Sequence, residues 1–238
     1  MAGVVRRTGL KTVLVPGGDE QVRAFMEAEA PVPVRAVGDP ATPLRRSDLV
    51  VLVVERVDDD LRRAWARVRE ELVPHVVLVR RDVWSTGDAA VVELLDEVQR
   101  DPRRKLIRFW RDRDDLERTL RDEVFTLDDS TLIGETVRDG AFVKVGSTFA
   151  QTWELENSGF RVWEGRSLKQ MGDATLVPVQ EEVPVERAEP GDRVRIAVDF
   201  AAPDEPGRYR SVWKMLDADG LLCFPWTTGV WVDVHAVL

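Results

Sequence analysis

The sequence contains one cysteine, one tyrosine and two histidines in 238 residues. A lone thiol forms no intramolecular disulfide, so packing must hold the fold together, and this usage fits a reducing cytoplasmic compartment. His75 and His235 lie in different halves of the chain. With Cys223 as the one thiol, no Cys/His metal site can be assembled within either half, and neither a metal nor a cofactor is expected. Long apolar runs are also missing. Leu49–Val54 is strand-sized and far short of the roughly 20 residues a membrane helix needs. Met1–Thr8 carries two arginines, but no apolar stretch of signal-peptide length follows. Lysine is scarce, 5 against 29 arginines, and acids outnumber bases 43 to 34 for a net charge of −9. Residues 1–129 hold 23 basic and 26 acidic groups, and the remainder hold 11 and 17. Neither half is basic, so nucleic acid is not an expected partner. The expectation is a soluble, cytoplasmic protein, and its richness in arginine, valine and alanine is that of a GC-rich bacterial genome.

What is present divides the chain in two. In the first half strands and helices alternate. Thr12–Pro16 reads as a buried strand, Glu20–Ala28 as a helix with Val22, Phe25 and Met26 inward, and Val32–Val37 as a second strand. Leu49–Val54 is a continuous apolar run of the kind found in a strand covered on both faces. Asp58-Asp59-Asp60 puts negative charge at the start of a helix reaching about Leu72, where the helix dipole favours it. Val76–Val79 and Lys105–Phe109 are two further strands. Between them, Ala89–Gln99 is a helix with Val91, Val92, Leu95 and Val98 inward, capped from Ser85–Asp88. Asp114–Phe125 is a last amphipathic helix with Leu116, Leu120 and Val124 at helical spacing. The fold class expected is α/β plus all-β: a flavodoxin-like parallel sheet over residues 1–127, a linker over 128–138, and a β-sandwich over 139–238.

The second half is organised around DGAFVKVGSTFAQTWELENSGFRVW, Asp139 to Trp163. In it Phe149, Trp153 and Leu155 share one face of an extended segment, interrupted by Gln151, while Ala150, Thr152, Glu154 and Glu156 share the other. Period-two patterning of this kind marks a half-buried strand. It returns at Val194–Phe200 after Pro190-Gly191-Asp192, at Tyr209–Met215 after Pro206-Gly207, and at Val230–Val234. Short strands separated by Gly/Pro/Asp turns describe a sandwich. Tyr209, two residues after Gly207, has the placement of a tyrosine corner.

These residues resemble the four-tryptophan domain, the Ig-like central domain first described in the autophagy receptor Next-to-BRCA1. The resemblance rests on Asp139-Gly140, Gly146, Phe149, Trp153, Leu155, Asn157, Gly159 and Trp163. It continues through Pro190-Gly191, Val194, Ala202-Pro203, Pro206-Gly207, Tyr209, Trp213, Asp217, Gly220 and Trp231-Val232. It implies an Ig-like sandwich that recognises a macromolecule without catalysis. The segment Cys223–Thr228, with Phe224 and Trp226, departs from the family pattern. Trp153 and Trp213, on the apolar faces of their strands, are expected in the core. Trp226, Trp231, Phe224 and His235 are the candidate binding residues, since exposed aromatics are enriched at interfaces. The partner class is a protein or a glycan, with self-association left open.

The first half is similar to Toll/interleukin-receptor-like and nucleoside deoxyribosyltransferase-like α/β domains, on the run SDLVVLVVERVDDDLRRAWARVREELVPHVVLVRRD and on DPRRKLIRFWRDRDDL. Relatives that cleave N-glycosidic bonds use a helical glutamate. This resemblance therefore implies Glu70 or Glu71, although Trp65 stands one residue farther from Glu70 than the pattern requires. Strand ends of such sheets hold ligands, which adds Asp19 and Glu55 as catalytic candidates. Gly17-Gly18 lacks the spacing of phosphate-binding loops, and no nucleophile elbow is present. Three readings follow. One is a non-enzymatic adaptor whose sandwich binds a partner while the α/β domain mediates assembly or signalling. Another is a nucleotide- or NAD-cleaving effector of a bacterial conflict system, which needs Asp19, Glu55 and Glu70 or Glu71 gathered in one pocket. The third is a structural subunit of a larger assembly.

Overall fold

The computed structural model describes residues 13–15, 20–36, 43–44, 48–172, 174–225 and 227–238, with the backbone alone at 13–15 and at Ala36. The chain divides into two compact units, one ending at Leu127 and one running from Asp128 to the last residue.

Among the described residues, the first unit is built from Val13–Val15 (β1), Glu20–Glu29 (α1), Val34–Ala36 (β2), Leu49–Val54 (β3), Asp59–Glu70 (α2), His75–Arg80 (β4), Arg81–Ser85 (α3), Ala89–Arg100 (α4), Arg104–Trp110 (β5) and Arg113–Thr119 (α5). The strands form one parallel sheet in the order β2-β1-β3-β4-β5. β3 and β4 are apolar at consecutive positions because the sheet is buried on both sides. Val50, Leu52 and Val54 pack with Leu61, Trp65 and Val68 of α2 and Leu94 of α4, while Val51 and Leu78, pointing the other way, are equally buried. The starts of α2, α4 and α5 are each fixed by an aspartate. Asp58 accepts from the Leu61 N–H at 3.0 Å, Asp88 from Ala90 at 2.8 Å and Asp112 from Asp115 at 2.9 Å. Such caps satisfy amide groups that the helix itself leaves unpaired. The Leu61 amide, more than Arg56, holds the Asp58 carboxyl below its ordinary range.

Three details differ from the sequence reading. The short helix α3 lies within a stretch whose end, Ser85–Asp88, was expected to supply only a cap. In α4 the inward set is Val91, Leu94, Leu95 and Val98, and Val92 is exposed. Val92 sits next to the apolar stripe but one step off the 3.6-residue period. The last helix is not uniformly α-helical: residues Leu120–Val124 form a π-turn, closed by the Phe125 N–H donating to the Leu120 carbonyl at 2.8 Å.

His75, at the amino end of β4, is fully buried and meets the Trp65 ring edge-on at 4.9 Å. Its Nδ1 lies 3.2 Å from the Val73 carbonyl and its Nε2 has no partner. Burial pushes its pKa down, against the carbonyl contact and the Asp101 charge. The unfolded chain therefore binds a proton that the folded chain resists. The stability His75 contributes is complete above the unfolded value of about 6.5 and is lost as pH falls through the lower folded value. Thermal melts between pH 7.5 and 5 should show the helical transition falling with pH. The His75→Phe variant should show a flatter dependence over the same window, and an unchanged slope would remove His75 from the account.

The second unit is built from Ser130–Glu135 (β6), Ala141–Lys144 (β7), Thr148–Asn157 (β8), Ser167–Met171 (β9), Glu182–Pro184 (β10), Arg193–Ala201 (β11), Gly207–Leu216 (β12) and Val230–Val237 (β13). One sheet has the order β11-β8-β6, antiparallel throughout. The other has the order β10-β9-β12-β13-β7, antiparallel except for the parallel β13–β7 pair. The segment 128–138 is therefore not a linker. It contains β6, which pairs with β8 from Ser130↔Asn157 to Glu135↔Trp153 with a bulge between Leu132 and Gly134. Its Thr/Leu/Ile content favours a strand, which outweighs the turn residues Asp128-Asp129-Ser130 before it. Asp128 and Asp129 are tied into the same unit: Arg166 reaches both Asp128 oxygens at 2.9 and 3.1 Å, and Ser158 donates to Asp129 at 2.8 Å.

The core lies between the two sheets. Trp153, Leu155, Val194, Ile196 and Phe200 from one face Trp213, Met215, Val232 and Val234 from the other. Gln151 points into this core and is fully buried, yet it is satisfied. Its Oε1 accepts from Val137 N–H at 2.8 Å and from the Thr136 hydroxyl at 3.1 Å, and its Nε2 reaches the Val137 carbonyl at 3.3 Å. A buried amide with partners costs far less than an orphaned one.

Candidate interaction surface

The candidate binding residues separate into two places. Phe224 turns inward. It packs against the core cluster, 6.3 Å from the Trp163 ring, and lines a groove with Leu132, Leu155, Trp213 and Met215. Trp231 and His235 alternate outward on β13, on the solvent side of the five-stranded sheet, while Val230, Val232 and Val234 fill the core. Trp226 lies outside the described residues.

Trp231 is fixed from two sides. Its Nε1 donates to Asp139 Oδ1 at 2.8 Å and Oδ2 at 3.0 Å, and the Arg210 guanidinium lies over the ring at 5.2 Å. His235 stands 5.7 Å from the ring of Phe142 on the adjacent strand β7, and Phe142 is 75% exposed. Beneath them Asp233 is buried by a two-pronged pair with Arg208, at 2.9 and 2.8 Å. Arg208 keeps the Asp233 carboxyl below the usual carboxylate range. Sequence reasoning missed Phe142 and Arg210. Both were legible in the alternation: Phe142 is out of phase with Val143, which packs on the core, and Arg210 is flanked by Tyr209 and the buried Ser211.

The remaining motif residues are structural. Trp153, Trp163 and Trp213 have no exposed surface. Trp153 donates to the Trp231 carbonyl at 3.2 Å. Asn157 holds the turn after β8, donating to the carbonyls of Arg161 at 2.8 Å and Ala188 at 3.0 Å while its Oδ1 accepts from Gly159. The Tyr209 hydroxyl donates back to the Glu205 carbonyl at 2.9 Å, the corner contact of Ig-like sandwiches. Three buried tryptophans, the asparagine turn and this corner now stand at their matching positions. This unit is similar to the Ig-like domain of the next-to-BRCA1 family.

Residues 136–236 match the family model described as "Ig-like domain from next to BRCA1 gene". The Protein NBR1 homolog of Arabidopsis thaliana is 32% identical over 113 residues, covering 46% of this chain and 16% of that protein. Protein JOKA2 of Solanum tuberosum is 32% identical over 98 residues, covering 40% and 11%. Protein ILRUN of Danio rerio is 31% identical over 87 residues, covering 36% and 30%. The chain thus spans less than a third of the length of each of these relatives, and the likeness concerns the Ig-like domain.

Among the described candidates, Glu55 is not brought together with Glu70 or Glu71. Glu55 follows the carboxyl end of β3 and meets Arg80 at 3.7 Å. Glu70 and Glu71 close α2, which leads back to the amino end of β4, and both are exposed. A helix joining two parallel strands returns the chain to the opposite, amino end of the strands, so these carboxylates cannot share a pocket with Glu55. Asp19, with Gly17 and Gly18, lies outside the described residues. The cleft beside Glu55, formed with Gln21, Arg80, Trp110, Asp112 and Arg113, is lined by paired charges. Arg80 is 2.7 Å from Asp82, and Arg113 is 2.6 Å from Glu117 and donates to the Gln21 carbonyl at 2.7 Å. Among the described residues no three His, Cys, Asp or Glu side chains gather to hold a metal, and no helix is long and apolar enough to cross a membrane. Burial pushes the Cys223 thiol up to about 11, so it is an unreactive thiol at neutral pH.

Proposed function

We propose that the protein is a non-enzymatic adaptor whose Ig-like domain binds a protein partner while the α/β unit mediates assembly or signalling. The observation that carries this reading is the pair of faces the Ig-like domain offers to solvent. On the three-stranded sheet the outward positions of β8 and β11 are Thr, Ala, Asp199 and ion-paired Glu and Arg, such as Arg195 with Glu154 at 3.0 Å. On the five-stranded sheet they include Trp231, Phe142, Met171 and Val212. A solvated sheet face is ordinarily polar, and aromatic and methionine side chains concentrate at recognition surfaces. The family match supports a protein-interaction role, since the relatives share this domain within larger proteins of different lengths. For the α/β unit, the strand order β2-β1-β3-β4-β5 supports a flavodoxin-like reading, and its paired charges favour a scaffold over a catalytic site.

A photo-crosslinking amino acid placed at position 142 of the full chain tests this in source cells. A discrete protein adduct at 142, with none from the same group at Ala197 on the opposite sheet, is expected. Equal labelling at both positions, or an adduct at neither, contradicts it.

A further inference from the structure

Resting on the adaptor reading, we propose that the outward face of the β9-β12-β13-β7 sheet is the docking surface and that its occupant is an acidic, aromatic-containing segment of a protein partner. The inference comes from how charge is distributed. Residues 130–238 carry 11 basic and 17 acidic groups, so a random patch of this domain is negative. Among the described residues, this face collects five of those bases: Lys144, Lys169, Arg208, Arg210 and Lys214. Against them stand Glu182, Asp233 and Asp139, a balance of +2 on a domain of −6. Two of the acids are already neutralised within the face, Asp233 by Arg208 at 2.8 Å and Glu182 by Lys169 at 3.2 Å. What remains toward solvent is three cations, Arg210, Lys214 and Lys144, and the Asp139 carboxylate held on Trp231, beside two apolar patches: Trp231 with its cross-strand neighbour Val212, and Phe142 against His235 two outward positions farther along β13.

That arrangement selects its occupant. Phe142 and Trp231 offer flat apolar area at low entropic cost, which suits an aromatic or aliphatic anchor on the partner. Arg210 already lies on Trp231, so a carboxylate reaching Arg210 would be held beside the anchor, pairing an apolar contact with a charged one. A second copy of the chain docking through the same face would oppose its cations to themselves. Nucleic acid would meet the same cations but also the domain's overall negative charge, which weakens long-range attraction.

Random 12-residue peptides displayed on phage and selected on the immobilised full-length protein test the proposal, followed by titration of synthetic versions of the enriched peptides. The expected result is enrichment of peptides that are net acidic and carry an aromatic residue. Their binding should weaken about tenfold with Arg210→Glu and again with Phe142→Ser, and should fall with added salt. Binding should be unchanged by Arg195→Glu on the opposite sheet. Circular dichroism of each variant separates lost binding from lost folding. Peptides whose binding ignores Arg210→Glu but is abolished by Leu132→Asp would place recognition at the groove between the sheets. The docking proposal would then fall while the adaptor reading stands. Tighter binding of an oligothymidine than of any acidic peptide, or dimerisation lost on Phe142→Ser, would also overturn it. No enriched peptide of any kind would count against both.

Discussion

Trp213→Ala is expected to remove a large part of the stability of the Ig-like domain. Trp213 has no exposed surface. Its ring meets Trp153 at 6.0 Å and Phe200 edge-on at 6.2 Å, so it joins the two sheets across the middle of the core. Its Nε1 donates to the Ser211 hydroxyl at 3.0 Å. Truncation would lose the buried ring, open a cavity between sheets that cannot close on each other, and strand the buried Ser211. Losses of about 3–5 kcal/mol accompany such changes, against a total of about 5–15 kcal/mol for a domain. Urea unfolding followed by near-ultraviolet circular dichroism should place the variant's midpoint far below wild type or find no folded baseline. A loss under about 1 kcal/mol would mean that Trp213 is not a core residue. The chain at Gly229 also passes close against the Trp213 backbone. Gly229 has φ of +78°, and a Cβ there would overlap the Trp213 carbonyl oxygen.

Breaking the Arg166–Asp128 pair has the second largest expected effect. The Arg166 side chain is 6% exposed and that of Asp128 is 19% exposed. The guanidinium lies 5.5 Å from the Trp163 ring centre and 5.8 Å from that of Phe224. Burial raises the Asp128 carboxyl above its ordinary value, and Arg166 only partly offsets this. Arg166→Met keeps the aliphatic packing but removes the guanidinium that reaches both Asp128 oxygens, at a cost of about 3 kcal/mol at pH 7. The folded variant would then take up a proton at Asp128 more readily than the unfolded chain. Its deficit relative to wild type should therefore shrink as pH falls from 7 toward 4. The double variant Arg166→Met, Asp128→Leu should recover most of the loss, because an apolar pair of similar volume needs no compensating charge. A deficit that is flat with pH, or a double variant no better than the single, would contradict this.

The parts of the molecule that were legible in the sequence are those where one pattern dominates. The strands Val194–Phe200 and Val230–Val234 alternate without interruption, and their inward residues are buried in the structure. The paired Trp153 and Trp213 follow from the same alternation. β6 was not legible, because its apolar Leu132 and Ile133 are flanked by turn-forming residues and its Leu132/Gly134 bulge breaks the period. The π-turn at Leu120–Val124 keeps apolar residues at helical spacing, so periodicity alone cannot reveal it. The candidate surface was half legible. Trp231 and His235 share a face by simple alternation. The cations beside them come from strands far apart in sequence, and only the β12–β13–β7 register assembles them. The half-burial of Phe224 against the core was not legible, because a loop segment carries no periodicity from which an inward turn can be read.

The most direct measurement is hydrogen exchange of the full-length protein, alone and saturated with an enriched acidic peptide. Slowed exchange confined to β12, β13 and β7 is the predicted result, since a segment lying across that face would shield those strands from opening. Slowed exchange in β8 and β11, or around Glu55, Arg80 and Asp112 at the end of the parallel sheet, would contradict the account.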